Sequence, residues 1–404
     1  MYESDAEKIQ VLSFLERLAE AMTKYGAPIY SIEDTVLKVA KKLAAEGEYL
    51  IIFGAFFSAC GQYLYQKIAL SRLPVAGFDV EKLNLTKAVA DGVLDDKIDC
   101  VAAEQQLIVI AKQPSIYSDA VVVFSWWLAS TSIAFLFGGI WSDALVAGVI
   151  GLIAAVISLA FNKHTALARL VEPLSAFMAT FVAVAGMLVF KNYSMPIVLV
   201  CGLIILMPGF TFTRAMSELA MGHLISGTAR LVSAMLTLMF LCAGAFVGFA
   251  IIKLFLPVSI QAFSITPPPP LALALICLPQ AISLCLSFHV HRRYMLAVVI
   301  VDIIVVFIMI YGGHVMGSAV GCGAGAFVVC IMANAYARWK KCSSVVIKVP
   351  CIMVLVPGSV GFNAMVTILA SKPAEGIEAA TMMIITGLSI VVGSTMADGL
   401  FPSR

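Results

Sequence analysis

The sequence predicts an all-α polytopic membrane protein of ten transmembrane helices, arranged as two inverted five-helix repeats, behind a small α+β N-terminal soluble domain. Three observations lead there. Of 404 residues, 61% are hydrophobic and only 12% charged, about half the ~25% charge of soluble domains. The charge is uneven: residues up to Asp119 hold 12 Lys/Arg and 17 Asp/Glu, whereas the rest holds 14 and 7 over more than twice the length. A pattern around Pro208-Gly209 also recurs at Pro357-Gly358, 149 residues later. The domains expected are 1–118 (cytosolic), 119–256 (first five-helix repeat), 257–270 (Pro-rich linker) and 271–404 (second repeat).

Residues 7–25 carry Ile9, Leu12, Leu15, Leu18, Ala19, Met22 and Tyr25 at three- and four-residue spacing, the apolar stripe of an amphipathic helix. Gly26 and Pro28 stop it. Ser31-Ile-Glu-Asp34 resembles a capping-box start for a second helix through Leu43. Tyr49–Cys60 and Gln66–Leu70 read as short paired strands, and helical stretches at about 79–92 and 96–112 lead to Pro114. All five histidines lie beyond this domain. A His-dependent nucleophile or zinc site would therefore need a partner from the membrane half, which argues against a hydrolase. The ten cysteines form no C-x-x-C pair and read as small buried hydrophobes.

A bilayer core needs about 20 mostly apolar residues per helix. Candidate spans fall at 120–139, 143–161, 171–190, 195–216, 231–255, 271–288, 294–313, 315–339, 345–369 and 376–401. A cytoplasmic N-terminus leaves ten Lys/Arg of the short connections on the cytoplasmic side, Lys163 and Arg404 among them. Only Lys191, Lys253 and Lys372 then fall opposite, with Lys348 ambiguous, a bias that follows the positive-inside rule. Both termini are thus expected in the cytoplasm, in a plasma membrane or an endomembrane. Thr266 followed by Pro267–Pro270 reads as a stiff spacer between the halves.

Leu206, Pro208-Gly209, Ala215-Met216 and Gly227 match Leu355, Pro357-Gly358, Ala364-Met365 and Gly376 at one constant offset. Applying that shift brings the first five spans onto the last five. Five is odd, so the second half enters the membrane from the opposite side. Secondary transporters with inverted repeats place their site at the repeat interface, in interrupted helices. Proline removes a backbone donor and glycine frees the chain from helical geometry, so Pro208, Gly209, Pro357 and Gly358 are candidate interruptions. Thr211, Thr213, Ser359 and Asn363 lie within a turn or two of them and supply uncharged donors and acceptors suited to a small zwitterion. Arg214 and Glu218 stand at i, i+4, spaced to pair on one helix face. Asp302, in VVIVDIIVVF, costs about 2.5–3.5 kcal/mol to insert at a helix centre and is the candidate proton or cation carrier. Glu172, Asp143, Asp398 and His223 fall near span ends and read as interfacial.

These residues resemble a known group, the threonine/serine exporter family and its fungal relatives, the pheromone-regulated membrane proteins. Tyr25-Gly-Ala-Pro28, Ser31 and Glu33, with the VLKVAKKL helix after them, resemble the family's cytosolic domain. Phe137-Gly-Gly139 before Trp141 and Asp143, Met207-Pro208-Gly209, Arg230 and Val356-Pro357-Gly358-Ser359 resemble its membrane motifs. Prokaryotic relatives also occur as two separate five-span proteins. The resemblance implies proton-driven export of small hydroxylated amino acids. Two departures stand out: Ile51–Cys60 replaces a longer, threonine-bearing strand region, and Phe362-Asn363 stands where bacterial members have an Arg-Ser-like pair.

The leading expectation is therefore a secondary transporter of threonine or serine, with protons and the lipid bilayer as partners and a homo-oligomer possible. No catalytic residue, cofactor, metal or nucleic acid is expected. The competing reading is a non-transporting membrane scaffold with a partner-binding cytosolic domain. Substitution at the two glycines of the Pro-Gly pairs separates them.

Overall fold

The computed structural model describes residues 5–45, 47–60, 67–74, 77–162, 164–256, 268–369 and 372–402. Lys163, Thr266, Pro267 and Arg404, and the first residue of the expected strand Gln66–Leu70, lie outside them.

The N-terminal part runs α1 (Asp5–Lys24), α2 (Ile29–Lys42), β1 (Gly47–Ile52), β2 (Ala55–Cys60), β3 (Lys67–Arg72), α3 (Val80–Leu94) and α4 (Cys100–Lys112). Phe14, Leu15, Leu18 and Met22 of α1 join Ile32 and Val36 of α2 and Ile51 and Phe56 of the sheet in one buried core. The strands form an antiparallel sheet in the order β1-β2-β3. Tyr49–Cys60 is thus a hairpin and not one strand. The chain reverses at Phe53-Gly54, where Gly54 takes φ +87, a conformation open to glycine without steric penalty. The unbroken run of Ile, Phe and Ala around it hides the turn from a reading of alternation.

The start of α2 also differs from expectation. Pro28 is its N-cap, with φ −71 and ψ 150 and no capping side chain. Ser31 therefore falls inside the first turn, and its hydroxyl accepts from Lys87 Nζ at 3.3 Å. Side-chain caps appear instead on α3 and α4: Asp79 accepts from the Lys82 N–H at 3.0 Å and Asp99 from the Ala102 N–H at 3.1 Å, each satisfying an otherwise orphan donor.

Beyond residue 118, nine helices among the described residues are long and apolar enough to cross a bilayer. A tenth candidate is the pair Met195–Gly202 and Ile204–Ala220, bent by 51°. In chain order the spans are Asp119–Leu136, Trp141–Phe161, Val171–Val189, the bent pair as fourth, Leu224–Lys253, Pro270–Ser287, Arg292–Met316, Ser318–Lys340, Val345–Thr367 and Pro373–Leu400. Only 33–56% of each unbroken span is buried within the protein. The outward side chains are themselves apolar, as at Leu188, Leu275, Leu296 and Leu400. A helix apolar all round is one that lies in a core or in lipid.

One boundary moves from its expected place. The seventh span continues through a π-helical turn, Ile308–Gly312, to Met316, and the eighth begins at Ser318. Gly317 alone, at φ +93, makes the connection, which is why hydropathy shows so short a gap.

The N-terminal part meets the bundle at one end. Backbone N–H of Val80 donates to Phe288 O at 3.0 Å, Tyr117 hydroxyl donates to Val290 O at 2.8 Å, and Ser343 N–H donates to Asn84 Oδ1 at 3.0 Å. The C-terminal residues lie at that end too, where Arg338 Nε donates to Pro402 O at 3.0 Å. Lys348, ambiguous by sequence, sits a turn inside the ninth span there, bound to Asp398 at 2.6 Å.

Candidate functional site

At both Pro-Gly pairs the residue before the proline is extended and the helix restarts at the glycine, although the fourth span has already left α geometry at Gly202 and reaches its proline through a 3-10 turn, Ile204–Leu206. In the fourth span, Met207 is extended (ψ 128) and the helix restarts at Gly209. In the ninth, Val356 is extended (ψ 133) and the helix restarts at Gly358. A proline forces the residue before it out of the helical region, so the local sequence dictates both breaks.

The breaks also touch. A Cβ on Gly209 would sit 2.7 Å from Gly358 N and 2.8 Å from Gly358 Cα, and one on Gly358 would sit 3.2 Å from Gly209 Cα. The two backbones cross at their helix restarts, and at Gly209 the distance leaves no room for a side chain.

One turn nearer the N-terminal part lies a cavity of about 230 Å³. It is smaller than the ~300–1,000 Å³ of drug-sized pockets and suits a small metabolite. Its walls come from three sources. The elbow between α1 and α2 supplies Gly26, Pro28, Tyr30 and Ser31, and α3 supplies Lys87. The fourth span supplies Phe210, Thr213, Arg214 and Ser217. The ninth and tenth spans supply Lys348, Ile352, Ser394, Thr395 and Asp398. Burial, with Lys348 nearby, lowers the Lys87 ammonium to about 8. Burial likewise raises the Tyr30 phenol, against the opposing effect of its hydrogen bond with Ser217.

Arg214 links the break to the elbow. Its guanidinium lies beside the edge-on pair of rings Phe78 and Phe210, 5.6 and 5.5 Å from their centroids, and Nη2 donates to Gly26 O at 2.6 Å. Contrary to the i, i+4 expectation, Glu218 does not pair with it. Fully buried, Glu218 accepts from Arg230 Nε at 3.0 Å and from the Ile29 N–H at 3.3 Å. The side chain that satisfies Glu218 therefore comes from the next span, and α2 contributes its first N–H. Arg230 also lies over Phe53, 5.1 Å from its centroid.

Residues 13–252 match the profile of the ThrE family, described as "Putative threonine/serine exporter", and residues 273–399 match a second profile, "Threonine/Serine exporter, ThrE". This chain belongs to the ThrE threonine/serine exporter family. Several similar curated proteins are named "Pheromone-regulated membrane protein 10". That of Debaryomyces hansenii is 25% identical over 95% of this chain and 39% of its own length. That of Eremothecium gossypii is 23% identical over 96% of this chain and 53% of its own. That of Candida albicans is 23% identical over 88% and 33%. The chain thus spans from a third to about half of the length of these relatives. No solved structure matches it.

Within this ThrE-family fold the sequence candidates separate into groups. Thr213 and Arg214 line the cavity. Pro208, Gly209, Pro357 and Gly358 form the crossing at the breaks, and Glu218 stands behind the wall. Thr211, Ser359 and Asn363 are half-buried and line no part of the cavity. Asp302 is fully buried with neither carboxylate oxygen hydrogen-bonded. It lies outside the cavity, in the seventh span, beside a ninth-span residue, Cys351, whose thiol reaches Val298 O at 3.7 Å.

Sequence reading missed Tyr30, Lys87, Ser217, Lys348 and Asp398. Asp398 had been set aside as interfacial, yet its Oδ1 accepts from Lys348 and from the buried Asn334 at 2.7 Å. An Asn334 and an Asp398 at span ends, each on an otherwise small-residue face, were the available signal. Seven of the nine cysteines described are buried.

Proposed function

We propose that the chain is a secondary active transporter that exports small hydroxylated amino acids, threonine and serine first, and draws on the proton gradient. Both termini face the cytoplasm, and the two five-span halves are inverted repeats moving against each other about the Pro-Gly crossing. The observation that carries this reading is the contact of Gly209 with Gly358 directly above a small polar cavity walled by both halves. A substrate bound there touches elements of each half, which is what alternating access requires.

Several facts support the arrangement. The residues before the two prolines, Met207 and Val356, are both extended and stand 149 residues apart. The first span starts, and the sixth ends, beside the N-terminal part, with Ser125 and Ser287 hydroxyls 2.8 Å apart. The two family profiles meet the chain on either side of residues 257–270. Asp302 is the proposed proton carrier, since a carboxylate inside a span and turned into the bundle is the kind of group that marks a proton pathway.

Purified full-length chain in vesicles tests the reading. An imposed pH gradient should move labelled threonine, and absence of gradient-dependent flux for every one of the common amino acids would remove it.

A further inference from the structure

The cavity carries an imbalance of charge. Lys87, Arg214 and Lys348 line it against a single acid, Asp398, which Lys348 already binds at 2.6 Å. Glu218, the nearest natural partner for Arg214, is taken by Arg230 and by the Ile29 N–H. Among the described residues Arg214 is thus left without a salt bridge of its own, although it is only 7% exposed.

Its mounting is that of a recognition group. Phe78 and Phe210 pack beside the guanidinium, Gly26 O holds Nη2, and Nη1 has no hydrogen-bond partner among the described residues. An unpartnered buried cationic N–H costs several times an ordinary hydrogen bond. A planar fork with one edge fixed and one free matches a carboxylate. We propose that Arg214 is the carboxylate subsite of this cavity: Nη1 receives one oxygen of a small carboxylate ligand while Nη2 keeps its bond to the α1–α2 elbow. The hydroxyls of Thr213 and Ser217, one residue before and three after Arg214, then lie within reach of a hydroxyl on the ligand, and Thr213 Oγ1 too has no partner. Asp398 at the far wall is left for an ammonium. This inference rests on the transport reading for the direction of binding, and on the cavity alone for its chemistry.

Three probes separate the two. L-threonine carries carboxylate, ammonium and hydroxyl; 3-hydroxybutyrate lacks the ammonium; L-threoninol lacks the carboxylate. With the full-length chain in detergent, both carboxylates should bind about tenfold or more tighter than threoninol. Arg214→Gln should bring all three within about threefold of one another. Should that variant fail to fold, the ranking on the unmodified chain decides. Threoninol binding as tightly as threonine, or neither carboxylate binding below about 10 mM, would overturn the proposal, as would a folded Arg214→Gln that keeps the preference. Threonine binding without flux in vesicles would leave the subsite standing and remove the transport reading instead.

Discussion

Replacing Gly209 by alanine tests the crossing directly. The new methyl would lie 2.3 Å from Val356 Cγ1, 2.7 Å from Gly358 N and 2.8 Å from Gly358 Cα, where carbon atoms rest at about 3.5–4.0 Å. Val356 can turn its side chain away; the Gly358 backbone can retreat only if the ninth span moves by about 1 Å. Overpacking of this kind costs about 1–3 kcal/mol. Gly358→Ala is the control. Its methyl would meet Gly209 Cα at 3.2 Å and Met207 Cβ at 3.3 Å, a displacement of a few tenths of an ångström. The ~0.5–1 kcal/mol that alanine gains over glycine in a helix offsets much of it. The unfolding midpoint in detergent should therefore fall clearly for Gly209→Ala and little for Gly358→Ala, with threonine flux in vesicles following the same order. Equal effects, or a worse outcome for Gly358→Ala, would refute the close crossing.

Glu218→Gln leaves Arg230 buried without its carboxylate and should lower stability by about 3–5 kcal/mol; Glu218→Leu with Arg230→Met should recover part of it in denaturant titrations. Lys87, brought to about 8 against 10.5 when unfolded, is charged in both states at pH 7 and burdens the fold. Between those two values the folded protein has released the proton and the unfolded chain has not, so stability rises with pH there. Lys87→Met should then be more stable than the unmodified chain at pH 7, by up to about 3 kcal/mol, and lose that advantage by pH ~10.5 in thermal melts. Asp302→Asn should fold normally and abolish the pH-gradient dependence of flux; full coupling in that variant would assign Asp302 to packing. Gly26→Ala, whose methyl would lie 2.6 Å from Gly77 O at a φ of +94, should loosen the elbow and speed proteolysis after Lys24.

The fold was legible wherever one signal dominates. Length and hydropathy placed most spans to within a few residues, the fifth excepted, which starts at Leu224 and not at 231, and Pro-Gly marked where both broken helices restart, because a proline acts on its own neighbours whatever surrounds it. Gly54 was not legible as a turn, since its apolar flanks continue without interruption, and Gly317 was not because a one-residue connection leaves almost no gap in hydropathy. The site was legible only where it is local. Arg214 was picked out by its position after the break, but its partner was assigned by helix spacing, whereas a buried Glu218 takes whichever donors tertiary packing brings, here one from the next span and one from α2. Lys87 and Tyr30 come from a different part of the chain altogether. No periodicity announces that the α1–α2 elbow will be pressed against a helix 188 residues away.

The N-terminal part grips both sets of spans, and through different pieces. The elbow and the hairpin hold the fourth and fifth spans through Arg214, Glu218, Arg230 and the His223–Glu33 contact of 3.5 Å. The helix α3 holds the later spans through Phe288, Arg293 and Ser343. Were the two sets of spans to move against each other as the transport reading requires, either the elbow or α3 would have to let go, and the weaker clasp would decide which set carries the N-terminal part along.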